Sequence, residues 1–253
     1  VIVVTGASGS LGSALVARLR AGGHDPVVTD VDSMDVTDEG QVADVLGVCE
    51  ADVVFHLAGA KHAPAGELDP WNVMLVNAVG TRNVLEHAGG ARVVLASTCK
   101  AADPETAYGA SKLIAERMVL NAGGSVARFY NVPETCGNVF ELWRSLPASD
   151  PLPVTPCKRY FQSLESAVNL LLGVVGLPSG RYCVYPGQLR LMADVAAGLY
   201  PGRKQRQIPP RRGDRFAEPL HAAHEALFLV SGTISMAQIV SPHDLVVPSL
   251  VAA

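Results

Sequence analysis

The chain has 253 residues, 49% of them hydrophobic and 17% charged, which is enough for a packed α/β core and too apolar for an intrinsically disordered protein. Its 20 basic and 24 acidic residues leave a net charge of −4, too weak to draw the surface to a nucleic acid or an anionic membrane. Cys49, Cys99, Cys136, Cys157 and Cys183 form no CxxC pair, so they read as reduced thiols of a cytosolic protein rather than a disulfide framework or a zinc site. No apolar run approaches the ~20 residues a membrane helix needs. The opening Val1-Ile2-Val3-Val4 reads as a strand, not a secretory leader, and the missing initiator Met predicts a few further residues upstream.

Apolar runs bounded by Gly, Asp or Asn predict strands over 1–5, 26–30, 52–58, 91–97, 125–130 and 181–185. Stretches of helical period predict helices over about 10–21, 39–48, 71–88, 107–122 and 163–175, each long enough to carry a crossover between parallel strands. The expected class is α/β: a Rossmann-like, doubly wound parallel sheet with a small C-terminal substrate-binding lobe. Prolines at 133, 147, 151, 153 and 156 break the pattern after Asn131. The expected division is therefore a dinucleotide-binding domain over 1–131 plus about 163–185, with the lobe built from 132–162 and 186–253. Ligands of such sheets bind in the crevice at the strands' C-terminal ends. Trp71 and Trp143 are expected in packing roles at helix interfaces.

After the first strand, Gly6, Gly9 and Gly12 form a G-x-x-G-x-x-G loop, with Ser8, Ser10 and Leu11 between them, that opens directly into a helix. Glycines let the backbone approach a pyrophosphate, and the helix N-terminus supplies free N–H donors and positive dipole. Asp30, about 20 residues further on, can accept hydrogen bonds from an adenosine ribose. No Arg or Lys follows in residues 30–35, which favours NAD over NADP. Asp35 and Val36 are expected in a short third strand beside adenine, with capping of the next helix as the other reading of Asp35.

Tyr108 and Lys112 stand four residues apart on one helix face. A neighbouring cation favours the phenolate, so Tyr108 can act as base toward a substrate hydroxyl. Ser97 and Thr98 end the preceding strand, where a hydroxyl can hold the same oxygen. The remaining histidines show no ligand pattern and no metal is expected.

These motifs, with His56-Leu57-Ala58-Gly59 and Asn77-Ala78-Val79-Gly80-Thr81-Arg82-Asn83-Val84, resemble extended short-chain dehydrogenases/reductases. Gly59-Ala60-Lys61-His62-Ala63-Pro64, Ser97-Thr98-Cys99-Lys100-Ala101, Arg128-Phe129-Tyr130-Asn131-Val132 and Lys158-Arg159-Tyr160-Phe161 are similar to segments of UDP-N-acetylglucosamine 4,6-dehydratases and related polysaccharide-biosynthesis enzymes. Arg211-Arg212-Gly213-Asp214-Arg215 resembles their Arg-Pro-Gly-Glu-Lys motif with three substitutions. The resemblance covers roughly residues 1–225.

It implies an NAD-dependent enzyme that oxidises a UDP-hexose at C4, acidifying the C5 proton so that the C6 hydroxyl can leave. Thr98, Tyr108 and Lys112 would carry the oxidation, Leu57, Ala58, Gly59, Asn77, Tyr108 and Lys112 would contact the cofactor, and Lys100 would be the base of the elimination. The family's acid is an Asp where this chain has Cys99. Cys99 can assist loss of the hydroxyl, mark an enzyme that only oxidises and epimerises, or be an inert small residue. Lys61, Asn131, Arg159 and Arg211 are the implied substrate contacts, the two arginines toward phosphates. The dehydratase of UDP-N-acetylglucosamine leads; a C4 or C5 epimerase and a non-catalytic NAD-binding regulator are the alternatives. A cytoplasmic homodimer is implied, joined through helices 71–88 and 107–122.

Overall fold

The computed structural model describes residues 1–185, 187–211, 213–219, 221–223, 225, 228–230 and 251–252. Five strands open the sheet: β1 (Ile2–Thr5), β2 (Val27–Thr29), β3 (Val53–His56), β4 (Arg92–Thr98) and β5 (Ser125–Phe129). Two lobe strands, β6 (Leu152–Val154) and β7 (Lys158–Arg159), precede β8 (Arg181–Val184), which returns to the sheet. The lobe then adds β9 (Arg190–Leu191) and β10 (Gln205–Gln207), and the chain comes back once more as β11 (Phe228–Val230) and β12 (Val251–Ala252). The sheet order is β12-β11-β8-β5-β4-β3-β1-β2. All six strands predicted from the sequence lie in it and run parallel; β12 alone is antiparallel to its neighbour.

Period-two alternation explains why helices cover both faces. Val4, Phe55, Val94 and Ala127 point to one side, beneath α1 (Ser10–Ala21) and, later in the chain, the helix Leu164–Gly173. Val3, Val54, Val93, Leu95 and Val126 point to the other, beneath α2 (Glu39–Cys49) and the helices Gly80–His87 and Ala107–Asn121. Strands buried on both faces read as the continuous apolar runs seen in the sequence.

Between β3 and β4 lie α3 (Ala63–Leu68), α4 (Pro70–Met74) and α5 (Gly80–His87), with a π-helical stretch at Leu75–Val79 inside the span predicted as one helix. Such wide turns often carry functional side chains, and this one holds Asn77. Helix α6 (Ala107–Asn121) follows β4 after a 3₁₀ turn at Cys99–Ala101, and its cap is Thr106, which accepts the Gly109 N–H at 3.0 Å. Helix α7 (Val139–Ser145) opens the lobe, α8 (Leu164–Gly173) packs on α1, and α9 (Met192–Leu199) closes the lobe. In the lobe β6 pairs with β10 and β7 with β9, around a separate core of Phe140, Trp143, Leu152 and Met192. Trp143 is fully buried and donates Nε1–H to the Pro153 carbonyl at 2.9 Å.

Several expectations change. Asp35 and Val36 form no strand: the Asp35 carboxylate accepts from Thr37 N and Oγ1 at 2.9 and 2.8 Å within a turn. The cap of α2 is instead Asp38, whose side chain accepts from Gln41 N. Trp71 is 69% exposed rather than packed. Residues 228–230 extend the large sheet beside β8, although 186–253 was assigned to the lobe, because their backbone pairs in parallel with the open edge of β8. Arg212 and residues 231–250 lie outside the described residues.

Candidate active site

A cavity of about 1210 Å³ runs along the strands' C-terminal ends, larger than the ~300–1,000 Å³ of a site for one small ligand. Its first part is the glycine loop. Gly6 has φ +67°, and a Cβ there would lie 2.6 Å from Ala58 N, so only glycine lets β1 and β3 end this close together. A Cβ on Gly12 would lie 2.3 Å from the Gly6 carbonyl oxygen, which fixes the start of α1 against the loop. Asp30 accepts the Ser8 N–H at 2.5 Å and its carboxyl is held below the usual range: burial pushes it up, but hydrogen bonds from Ser8 and Val31 outweigh that. Gly6, Ser8, Gly9, Ser10, Leu11, Gly12, Asp30, Asp35, Val36, Leu57, Ala58, Gly59 and Asn77 all line this end. An anion-accepting helix start, a cradle no side chain can enter and a ribose-accepting carboxylate fit an adenine dinucleotide.

A directed chain of hydrogen bonds ties the strand ends together. Thr81 Oγ1 donates to the Asn77 carbonyl at 2.6 Å, so it accepts from His56 Nε2–H at 3.1 Å. His56 Nδ1 is then an acceptor, 2.8 Å from Thr5 Oγ1, which itself accepts the Ala58 N–H at 3.2 Å. Burial, with a smaller push from the Lys112 charge, lowers His56 to about 3 and keeps the ring neutral. The Asn77 amide donates to the Ala60 carbonyl at 2.9 Å and to Ser111 Oγ at 3.0 Å, while its own buried Oδ1 has no partner among the described residues. That orphaned acceptor sits where a Cβ on Gly59 would be 2.9 Å away.

Thr98, Lys100, Tyr108 and Lys112 line the middle of the cavity. They meet because Gly109 lets α6 sit on the 3₁₀ turn; a Cβ there would be 2.4 Å from the Lys100 carbonyl oxygen. Burial raises the Tyr108 phenol above its usual range, while the Lys100 charge and a side-chain hydrogen bond with Thr98 pull it back. The cation acting on the phenol is therefore Lys100, whereas the Lys112 ammonium lies on the Gly59 side, 3.7 Å from where a Cβ on that glycine would be. Burial lowers Lys112 to about 8, against the pull of Glu116.

Cys99 does not face the cavity. It is 2% exposed, and its thiol donates to Glu218 Oε2 at 3.1 Å. Burial first, then the Glu218 charge, pushes it up to about 12. Glu218 also takes Lys100 Nζ at 2.6 Å, Asn131 Nδ2 at 3.1 Å and Arg159 Nε at 3.4 Å. Sequence reasoning missed this carboxylate; its one signal was its place three residues beyond the Arg-rich C-terminal motif.

The expected substrate contacts separate. Arg211 lines the cavity with its side chain 65% exposed and, among the described residues, Asp214 as its ion-pair partner, so its guanidinium can still reach an anion. Arg159 lines it too, but its guanidinium is spent on Asp214, Glu218 and the carbonyls of Lys158 and Arg215. Asn131 gives its amide to Glu218 and to the Tyr160 carbonyl at 3.1 Å. Lys61 reaches across the cavity mouth to the Cys136 carbonyl at 3.0 Å, and Cys136 N–H reaches Ser10 Oγ at 3.1 Å, which joins the lobe to the glycine loop. The far end is apolar, lined by Phe140, Trp143, Phe161, Met192 and Ile208. Among the described residues, no group of three or more His, Cys, Asp or Glu is placed to hold a metal ion, and no helix is long and apolar enough to cross a membrane.

Residues 22–226 match the family described as polysaccharide biosynthesis protein. The chain belongs to that family. Among its relatives, an uncharacterized membrane protein of Methanocaldococcus jannaschii is 30% identical over 214 residues, 71% of this chain and 64% of that one. An inverting UDP-N-acetylglucosamine 4,6-dehydratase of Campylobacter jejuni is 28% identical over 201 residues, 73% of this chain and 60% of the other. The chain thus spans somewhat under two thirds of the length of both. In fold it is similar to the Thermus thermophilus UDP-glucose 4-epimerase solved with NAD, at a TM-score of 0.75 and 21% identity over 87% of this chain and 89% of that one. Its relatives thus include a nucleotide-sugar dehydratase and also a UDP-glucose 4-epimerase, that of Rickettsia canadensis, 28% identical over 68% of this chain and 61% of the other.

Proposed function

We propose that the protein is an NAD-dependent dehydratase of a UDP-hexose, UDP-N-acetylglucosamine first among candidates, acting through a 4-keto sugar and C5/C6 elimination. The observation that carries this reading is the convergence of Thr98, Tyr108 and Lys100 at the middle of one cavity, between a dinucleotide cradle and an apolar end. Thr98 and Tyr108 hold the C4 hydroxyl, and Tyr108 takes its proton. The glycine loop and Asp30 would hold the dinucleotide, which would supply a reversible hydride acceptor for C4. Asp30, with no cation in residues 30–35, supports NAD over NADP, because a 2′-phosphate would meet negative charge alone. Arg211 at the rim suits a diphosphate, and the partly exposed Phe161 and Ile208 at the apolar end suit a pyrimidine base.

A C4 epimerase is the second reading, favoured by the ion pair of Lys100 with Glu218, which keeps this lysine charged and so makes it a poor base for C5. Incubating the enzyme with NAD and UDP-N-acetylglucosamine in deuterated water separates the two. Dehydration gives a product lighter by one water that carries solvent deuterium at C5; epimerisation gives neither change, and recovery of untouched substrate would defeat both readings. The resemblance also supports a cytoplasmic homodimer: Leu68 and Trp71 of α3 and α4 and Ile114 of α6 are 84%, 69% and 41% exposed on neighbouring helices, an apolar surface suited to a second copy.

A further inference from the structure

Lys100 is the member of its buried cluster that reaches the cavity. Its side chain is 25% exposed, while that of Glu218 is 2% exposed, and neither Glu218 nor Cys99 lines the space where a sugar would sit. Lys100 faces Cys99 on its own turn, Tyr108 from α6 and Glu218 from the C-terminal segment; Arg159 of β7 flanks Glu218 from the other side. Glu218 accepts from four side chains of three different segments, Cys99 and Lys100 of one turn, Asn131 and Arg159, which fixes both its oxygens.

Resting on the dehydratase reading, we propose that Glu218 is the positioning carboxylate of the elimination: it fills from the C-terminal segment the acidic place left empty by Cys99 and holds Lys100 as an ammonium ion facing the cavity, so that Lys100 is the proton donor to the departing C6 oxygen. Cys99 is then the residue that makes room for Glu218 and hands it a hydrogen bond. In the 4-keto sugar, Lys100 gives a proton to the C6 oxygen, the C6–O bond breaks with its electron pair on oxygen, and water leaves. In the same concerted step the amine so formed takes the C5 proton that the C4 ketone acidifies, and the C5–H electron pair becomes the C5=C6 double bond as the C6–O bond breaks, so that no cation forms at C6. Lys100 begins and ends as an ammonium ion, and Glu218 stays a carboxylate throughout.

The charges agree with this geometry. Burial opposes the Lys100 ammonium, but the neighbouring Cys99 and Glu218 outweigh it and raise the lysine above its ordinary range. Burial likewise opposes the Glu218 anion, but Lys100 and Arg159 outweigh it and lower that carboxyl to about 2.

The test reads Lys100 directly. The NAD-loaded protein is treated with acetic anhydride across a pH series, and acetylation of Lys100 is followed by peptide mass spectrometry. Glu218→Gln is expected to move the labelling midpoint to lower pH by at least about one unit, a tenfold faster labelling at fixed pH. The swap Cys99→Asp/Glu218→Gln returns a carboxylate to the same pocket and is expected to move the midpoint back toward wild type. In turnover, Glu218→Gln should let a 4-keto sugar accumulate, trapped by borohydride, while dehydrated product falls about 100-fold. A wild-type labelling midpoint in Glu218→Gln, or a swap variant that stays shifted, overturns the proposal. Should Glu218→Gln fail to fold, the swap variant alone carries the test, its midpoint near wild type supporting the proposal and a shifted one overturning it. If no UDP-sugar is converted by the wild type, the dehydratase reading falls while the labelling result still decides the role of Glu218.

Discussion

Tyr108→Phe is expected to lower turnover of a UDP-hexose by about 10²- to 10⁴-fold, the range for removing a positioned general base, with fold and dinucleotide binding intact. The change removes one hydroxyl at the cavity and leaves α6 undisturbed, since the cap by Thr106 and the contact of Gly109 with the 3₁₀ turn involve other atoms. The Lys100 charge and the hydrogen bond with Thr98 both favour the phenolate of the wild type, and both lose their object in the variant. Steady-state rates and NAD titration of the two proteins check this. Turnover at the wild-type level would remove Tyr108 from the proton transfer.

The second large effect concerns stability. Arg128, 1% exposed, grips Glu116 through Nε and Nη2 at 2.9 and 2.7 Å and Glu225 through Nη1 and Nη2 at 2.8 and 3.0 Å. Glu116 is fully buried and also accepts from Arg181 at 2.8 Å and from Ser97 Oγ at 2.6 Å. In Arg128→Met, Arg181 alone faces two carboxylates, and breaking a buried pair from one side costs about 3–5 kcal/mol. For a chain of this size that lowers Tm by roughly 10 °C. Adding Glu116→Leu removes one of the stranded charges, so the double variant should be more stable than the sum of the single changes predicts. Chemical denaturation of the three proteins measures both effects, and a single-variant loss below about 1 kcal/mol, the scale of an exposed pair, would show that the network carries little.

This network also shows why parts of the molecule were legible and others were not. The six parallel strands and the glycine loop follow from local signals: apolar runs such as Val53–His56 fit a strand buried on both faces, and the Gly6/Gly9/Gly12 spacing fits one turn and one helix start. Arg128, noticed as part of a family segment, gave no local sign that Glu116 and Glu225 would enclose it. The lobe strands Leu152–Val154 and Gln205–Gln207 are three residues each and pair across about fifty positions, so neither shows a period by itself.

In the site, Tyr108 and Lys112 were found by helical spacing, yet the cation acting on the phenol is Lys100, because α6 seats on the turn that carries it. Arg159 looked free for a phosphate since its partners Asp214 and Glu218 come from 55 and 59 positions further along. Asp35 stood at the expected distance for an adenine contact, but its own Thr37 satisfies it first. Cys99 was the most conspicuous departure from the family pattern, and only the fold shows that a carboxylate 119 positions away faces it.

The account depends on transfer of the C4 hydrogen within the enzyme. UDP-N-acetylglucosamine carrying deuterium at C4 tests this most directly, with the product read by NMR after turnover by the NAD-loaded protein in ordinary water. The account predicts that the deuterium stays in the product, carried to C6 of the dehydrated sugar. Deuterium released into the water, or dehydrated product formed equally well by protein stripped of its dinucleotide, would contradict it.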